Sequence, residues 1–187
     1  SEPEPGFENL MTTRRIIDEF EEYAGREIHI TEFNTSYIPN NPIHDTNLNA
    51  AYIAQQLSRL GDMNESYSYW TFGDIFEECG VPFTPFHGGF GLVADGCIPK
   101  PTFWIFNFYK KLRGDCVYRS DEVIVTLDSD GIYHGIMWNP CYGDKNGTIN
   151  VCLDIPAEDE EKYCLVKKTV DENTCNPLRA WHELGEP

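Results

Sequence analysis

A glutamate at the end of a short apolar segment is the first residue whose position suggests chemistry. The segment that begins at Ile28 leads directly to Glu32, and polar, turn-forming residues follow at once in HITEFNTS. This pattern predicts a strand over residues 28–32, which would deliver the carboxylate to a strand end. Parallel α/β folds bind their ligands at strand ends. Glu32 is therefore a candidate functional carboxylate, and the alternative is an acid that only caps the next loop or pairs with a base.

A second set of acids follows the next predicted strand, which covers residues 67–72. Trp70 lies on that strand, and Glu77 and Glu78 come shortly after it. Carboxylates beside aromatic rings suit carbohydrate binding, because rings stack on the apolar faces of a sugar and acids accept hydrogen bonds from its hydroxyls. A retaining glycosidase also needs two carboxyl groups about 5–5.5 Å apart across the scissile bond. Glu32 is placed as one member of such a pair would be.

The elements that would position these acids alternate between helix and strand. A long loop over residues 73–100 separates the second strand from the last helix of the series, and loops of that length are often functional. The alternation predicts a parallel α/β sheet or barrel. Apolar periodicity and capping residues predict helices over 9–24, 47–60 and 101–112 around strands 28–32 and 67–72.

The pattern changes after residue 115, where the sequence favours antiparallel β structure. Asp128–Gly131 separates two β-type runs and is typical of a hairpin turn. The pattern of β-forming residues predicts two further strands, over residues 148–156 and 163–170. A short helical turn or a connector is predicted for residues 176–187. This part of the chain is expected to form a piece of a β-sandwich.

The charge and hydropathy of the chain argue against two classes of partner. Asp and Glu number 31 against 14 Lys and Arg, which gives a formal net charge of −17. Such a chain repels polyanions, so we expect no nucleic-acid partner. No apolar run approaches the roughly 20 residues that span a bilayer, so we expect no membrane partner.

The cysteines and histidines predict no metal site. The seven cysteines form no CxxC pair and the five histidines lack ligand spacing, so buried free thiols in a reducing compartment such as the cytoplasm are expected. His44 and Asp45 look like a catalytic pair, but no serine or cysteine nucleophile motif accompanies them. We expect these two residues to brace a loop, while a contact with substrate stays open.

Four motifs in the same order give the chain a specific resemblance. TEFNTSY, PIHDTN, SYSYWTFGDIFEE and PFHGGFGL followed by PKP resemble the β-xylosidases of glycoside hydrolase family 39. The resemblance runs from about residue 9 to residue 187. It implies that residues 1–115 are the C-terminal part of a (β/α)8 TIM barrel and that residues 116–187 are antiparallel strands of a β-sandwich.

The resemblance also implies roles for five residues. Glu32 matches the family's nucleophile at the end of the seventh barrel strand. Trp70, Glu77 and Glu78 match residues of the xylose-binding subsite, and Phe86 lies in the region that wraps the pocket. The implied substrate is a xylo-oligosaccharide or an aryl xyloside, and the implied mechanism uses no cofactor and no metal.

One catalytic group of the family is not found in this sequence. The family's acid/base glutamate follows an asparagine at a strand end, whereas Asn64-Glu65 falls in a turn-like segment. The resemblance therefore implies a C-terminal portion of an enzyme, inactive in isolation. Two strands cannot close a barrel, so we expect either self-association into a homo-oligomer or packing against the β-rich segment.

A carbohydrate-binding or scaffolding module without catalysis is the alternative function. The segment 116–187 is the part that could support it. Tyr133, Trp138 and Tyr142 would then have to form an exposed aromatic platform for sugar.

Overall fold

The computed structural model describes residues 6–75, 80–139, 147–152, 154 and 162–187. Within these residues helices and strands are mixed, as the alternating pattern predicts. Helices α1 (Phe7–Asp18), α2 (Asn47–Leu57) and α3 (Pro101–Lys111) accompany two strands, β1 (His29–Phe33) and β2 (Ser66–Tyr69).

The first helix is shorter than the predicted 9–24, and a side chain explains where it ends. The Asp18 carboxylate accepts hydrogen bonds from the Arg14 guanidinium at 2.7 and 3.0 Å and from the Gly25 N–H at 3.0 Å. The bond to Gly25 draws the chain between these two residues into turns instead of a further helical turn. Gly25, which the sequence predicts as the helix stop, has a positive φ of 73° but lies seven residues after the helix ends.

β1 and β2 are hydrogen-bonded neighbours and run parallel. Ile30 lies opposite Tyr67 and Phe33 lies opposite Tyr69, with one irregularity in register between these pairs. β2 ends at Tyr69 instead of Phe72, because the backbone from Thr71 onward bonds to the later segment around Phe90. The carboxyl ends of both strands therefore meet at one edge of the sheet.

The predicted loop over residues 73–100 contains a small hairpin. β3 (Val93–Ala94) and β4 (Ile98–Pro99) pair antiparallel around a three-residue 3-10 helix. Pro101 then begins α3 as the first helical residue, as the sequence predicts.

A three-stranded antiparallel sheet follows α3 in the chain. Its strands β5 (Asp115–Arg119), β6 (Val123–Leu127) and β7 (Tyr133–Met137) lie in the order β5-β6-β7. The β6–β7 hairpin turns at Asp128–Gly131 as predicted, whereas β5 has no sequence-based prediction. A last helix, α4, covers Pro177–Glu183.

The two further strands predicted after this sheet do not form in the part of the chain that the structure describes. Residues 162–170 make no strand ladder, and neither do residues 147–152. The side chains of Leu165 and Val166 are 91% and 74% exposed, so the apolar pattern that predicts a strand is not buried against any described element.

The hydrophobic core joins the helices to the antiparallel sheet. α2 and α3 pack together, and β6 and β7 close the cluster from the other side. The open face of β1 is not part of it, since His29, Thr31 and Glu32 are exposed. The buried members are Ala50, Tyr52, Ile53, Ala54, Ile105, Ile124, Ile136 and Trp138.

The cysteines of the described residues differ from the expectation of buried thiols. Five of them are free, and all five are exposed: Cys97, Cys116, Cys152, Cys164 and Cys175. Cys116 illustrates the reason, because it lies on β5, an edge strand whose residues are exposed along its whole length. Among the described helices none is long and apolar enough to cross a bilayer.

Candidate active site

Glu32 is the acid at the carboxyl end of β1, and its side chain faces solvent. It is the penultimate residue of the strand and is exposed, while Ile30 and Phe33 are partly buried. No Lys, Arg or His of the described residues forms an ion pair with Glu32, and no hydrogen bond to its carboxylate occurs within them. Among the described residues, Glu32 therefore neither caps the next loop nor forms half of an ion pair.

Trp70 follows β2 directly and is joined to the end of β1. Its backbone N–H donates to the carbonyl oxygen of Phe33 at 3.0 Å, one residue after Glu32. The side chain is half-buried, and the peptide bond that follows it is cis. The structure thus brings the predicted carboxylate and the predicted aromatic residue to neighbouring strand ends.

Asn34 ties these two strand ends to the turn that follows Phe86. Its side-chain amide donates to the carbonyl oxygen of Trp70 at 2.6 Å and to that of Phe90 at 3.2 Å. The amide oxygen accepts from the N–H of Thr35 at 2.8 Å. Asn34 is not among the predicted site residues, although its place two positions after the candidate carboxylate is the signal in the sequence that would have suggested a role.

Buried polar side chains are hydrogen-bonded to residues at the two strand ends and in the loop after β1. Asn49 is fully buried, accepts a hydrogen bond from the Thr35 hydroxyl, and donates to the Tyr69 hydroxyl at 3.2 Å and the His44 carbonyl at 3.3 Å. Burial raises the pKa of the Tyr69 phenol well above its ordinary value, so the hydroxyl stays protonated.

His44 and Asp45 brace the turn that contains Gly88, as the sequence reasoning expects of this pair. His44 is fully buried, with Nδ1 at 2.8 Å from the Gly88 carbonyl oxygen and Nε2 at 3.2 Å from that of Ser36. Desolvation lowers the pKa of His44 below its ordinary value, although the two carbonyl groups act in the opposite direction. The Asp45 carboxylate accepts from the Gly88 N–H at 2.6 Å.

Phe86 lies beneath the surface instead of on it. Its side chain is only 8% exposed, and its ring centroid is 5.7 Å from that of Trp181 on α4. This contact attaches the last helix to the loop before the glycine-rich turn. Glu77 and Glu78, the other predicted sugar-binding residues, lie outside the described residues.

A cavity of about 250 Å³ lies between α1, α2 and the strands. Leu10, Ile30, Tyr52 and Tyr67 are among the residues that line it, and Glu32 is not. The lining is mostly apolar, and it includes Phe33 and Asn34, the two residues that follow Glu32.

Trp138 has a structural role that counts against a sugar platform on the β-rich segment. Its side chain is 6% exposed and belongs to the hydrophobic core. The indole N–H donates to the Asp121 carbonyl at 2.7 Å. Tyr133 is partly buried and Tyr142 lies outside the described residues, so the described residues present no platform made of these three rings.

Comparison with known proteins shows which family the chain is similar to. The sequence profile of the glycosyl hydrolases family 39 matches residues 5–187. A β-xylosidase of Geobacillus stearothermophilus is 45% identical over 186 residues, which is 99% of this chain and 36% of that protein. A β-xylosidase of Caldicellulosiruptor saccharolyticus is 33% identical over 190 residues, covering 92% of this chain and 37% of that protein.

Solved structures give the same relationship. A monomeric β-xylosidase from Caulobacter crescentus CB15 superposes on 99% of this chain and 41% of its own, with a TM-score of 0.77 at 26% identity. A family 39 β-xylosidase from Caulobacter crescentus covers 66% of this chain and 28% of its own, with a TM-score of 0.61 at 35% identity. The chain therefore spans between a quarter and two fifths of the length of these relatives.

Proposed function

Because the chain belongs to the glycosyl hydrolases family 39, we propose that it is the C-terminal portion of a retaining β-xylosidase with Glu32 as its nucleophile. The observation that carries this proposal is the meeting of Glu32 and Trp70 at the ends of two adjacent parallel strands. Its relatives in Geobacillus and Caldicellulosiruptor are β-xylosidases, which supports xylose as the sugar.

The proposal extends to the architecture of the full-length protein. Residues 1–115 would form the last two strands of a (β/α)8 barrel with their helices, and residues 116–187 would form part of a β-sandwich. The parallel pairing of β1 with β2 supports the first assignment, and the antiparallel sheet β5-β6-β7 supports the second. Active sites of such barrels lie at the carboxyl ends of the strands, where Glu32 is.

In the proposed reaction a carboxylate oxygen of Glu32 attacks the anomeric carbon of a terminal non-reducing xylose. The bond from that carbon to the leaving oxygen breaks, and a carboxylic acid from the upstream part of the protein gives its proton to that oxygen. Water then attacks the covalent xylosyl ester, and the same upstream group, now a base, takes the proton from the water. Two inversions at one carbon give net retention.

The solvent exposure of Glu32 fits this role. A nucleophile must be accessible to the anomeric carbon of the substrate, and the exposed Glu32 side chain is accessible from solvent. Trp70 would stack on the xylose ring, and Glu77 and Glu78 would accept hydrogen bonds from its hydroxyls. Phe86 would line the same subsite, with only the small exposed part of its ring available to a ligand.

The test compares the 187-residue chain with the full-length protein on an aryl β-xyloside. We expect hydrolysis by the full-length protein and none by the chain, because general-acid assistance alone is worth about 10²–10⁴-fold and the acid is upstream. Proton NMR of the first product should show the β-anomer of xylose. An α-anomer as first product, or no xylosidase activity in the full-length protein, would overturn the proposal, and turnover by the isolated chain would overturn its last part. We also propose that the chain forms a homo-oligomer, because two strands alone leave apolar surface uncovered. A compact monomer in sedimentation would instead favour packing of the strands against the β-rich segment.

A further inference from the structure

A buried ion cluster lies directly behind the candidate active site. Lys100 is fully buried, and its ammonium group contacts the carboxylates of Asp45, at 2.6 Å, and Asp74. The two acids are 2% and 5% exposed. Charged side chains are almost never this deeply buried unless they are paired, because removing a charge from water is costly. The burial of three charged groups in one cluster therefore needs an explanation.

The cluster surrounds the Lys100 ammonium group with two ion-pair contacts and one hydrogen bond. An ammonium group carries three protons, and Lys100 has three polar neighbours, the third being the Gly89 carbonyl oxygen at 2.9 Å. The remaining carboxylate oxygens of the two acids accept from the Gly88 and Gly91 N–H groups at 2.6 Å each. Neither methionine nor arginine could reproduce this arrangement, the first for lack of donors and the second for its planar fork.

The cluster joins the segments that follow both candidate strands. Asp45 ends the short 3-10 helix in the loop after β1, and Asp74 lies four residues after Trp70 on the segment that leaves β2. Lys100 itself is the residue before α3. One side chain therefore fixes the loop after β1, the loop after β2 and the start of the last barrel helix relative to one another.

The glycine-rich turn fits against Asp74 so closely that side chains are excluded. A Cβ atom on Gly89 would overlap the Asp74 carboxylate, and one on Gly91 would lie 2.6 Å from the Asp74 backbone nitrogen. The same turn is hydrogen-bonded to the residue after Trp70, because the Thr71 N–H donates to the Phe90 carbonyl at 3.0 Å. A shift of the cluster is thus passed to Trp70 through two short backbone connections.

Stability alone is a poor reason to bury such a group, since buried ion pairs are often no more stabilising than apolar residues of similar volume. Resting on the function proposed above, we propose that Lys100 is a positioning residue of the sugar site. It holds Trp70 at a fixed distance from Glu32. Lys100 does not contact the sugar, and it acts through Asp45, Asp74 and Gly89.

The experiment uses Lys100→Met in the full-length protein, with the exposed Lys110→Met as the matched control. Assays run well below the unfolding temperature of each variant, with folding checked by circular dichroism. We expect kcat/KM on an aryl β-xyloside to fall by about 10–100-fold, because displacement by about 1 Å has costs of this size. The inhibition constant of free xylose should rise in parallel, which a loss of stability alone would not cause.

Asp74→Asn keeps the size of the side chain and provides a second variant if Lys100→Met does not fold. It should also raise the xylose inhibition constant. The double variant should lose little more activity than the more impaired of the two single variants, because the residues act as one unit. A folded variant with the kinetics of the control would overturn the positioning role. Absence of xylosidase activity in the unsubstituted protein would overturn the proposed function itself, and the two failures are therefore distinct.

Discussion

The rim of the candidate site and the cluster behind it use charged residues in opposite ways. At the rim, Glu32 is exposed and pairs with no cation of the described residues. Behind it, Lys100 and its two acids are buried, and each of their polar atoms has a partner. Asp45 follows Glu32 by 13 residues and Asp74 follows Trp70 by four, yet only one of the two regions offers an unoccupied carboxylate.

This difference follows from what each region must do. A nucleophile needs lone pairs that the protein does not already occupy, whereas a support must leave no donor or acceptor unsatisfied, since a partly satisfied buried network is costly. Substitutions should therefore separate the two regions: changes at the rim should remove activity without affecting folding, and changes in the support should affect both.

Glu32→Gln should give the largest effect on activity and almost none on stability. We expect kcat in the full-length protein to fall by about 10⁴-fold or more, because an amide cannot form the glycosyl ester. The free energy of unfolding should stay within about 0.5 kcal/mol of the unsubstituted value, since the side chain is exposed. Kinetics on an aryl β-xyloside and urea titration measure the two quantities. Glu65→Gln, at another exposed glutamate, is the control, and an equal loss of activity in it would contradict the assignment.

Lys100→Met should give the largest loss of stability. Removing one partner of a buried ion cluster leaves uncompensated charge, here two carboxylates, and costs about 3–5 kcal/mol. Urea titration of the full-length protein measures this loss, and Lys110→Met should remain within about 0.5 kcal/mol. If the variant were as stable as its control, the cluster would not be the support described here.

Asn34→Asp tests the link between the two regions. The change is isosteric, but it places a carboxylate oxygen against the carbonyl groups of Trp70 and Phe90 where an amide donates now. We expect the free energy of unfolding to fall by about 1–3 kcal/mol, with a loss of activity beside it. Asn150→Asp, at an exposed position, should change neither quantity. Stability lost without activity would show that the strand ends tolerate displacement.

His44 should give the smallest effect, visible as a dependence of stability on pH. Burial lowers its pKa in the folded state below the 6.5 of the unfolded chain, so the unfolded state binds more protons between these values. Stability should be unaffected above pH 6.5 and should fall as the pH decreases from 6.5 towards the folded pKa. The slope should be at most about 1.4 kcal/mol per pH unit. The facing charges are Asp45 and Lys100, which oppose each other.

A comparison of unfolding curves between pH 7 and pH 5 measures this effect. His44→Gln should lose the part of the pH dependence that belongs to the histidine, while the exposed His182→Gln should keep it. A steeper fall in the His44→Gln protein than in the unsubstituted one would mean that His44 is protonated in the folded state.

The fold of residues 7–111 could be predicted where the period of the apolar residues and the length of the segment indicate the same type of element. α2, α3 and both parallel strands lie within a few residues of their predicted positions, because apolar spacing and the flanking turn residues give the same boundaries. β5 could not be predicted, since an exposed edge strand has no buried alternate face. The predicted strand over 163–170 is wrong. The segment has the apolar pattern of a strand, but its residues do not pair with any sheet among the described residues.

The candidate site could be predicted in part. Glu32 and Trp70 are recognisable because a carboxylate and an aromatic residue each lie at the end of a predicted strand. The structure places these two strand ends next to each other. Lys100 could not be recognised, because its partners are 55 and 26 residues away and a lysine between two prolines carries no pattern. The glycines at 88, 89 and 91 were the available signal, since close-packed glycines imply that something buried lies against them.

The identity of the nucleophile is the central claim, and covalent trapping tests it most directly. Incubating the full-length protein with an activated 2-deoxy-2-fluoro-β-xyloside should trap the glycosyl ester. The fluorine slows both the formation and the hydrolysis of the ester, because both pass through oxocarbenium-like transition states, and the activated leaving group restores the rate of formation alone. Peptide mass spectrometry should then find one fluoroxylosyl group on the peptide that contains Glu32, and none in the Glu32→Gln protein. A label on any other acid, or the same label in the Glu32→Gln protein, would contradict the account.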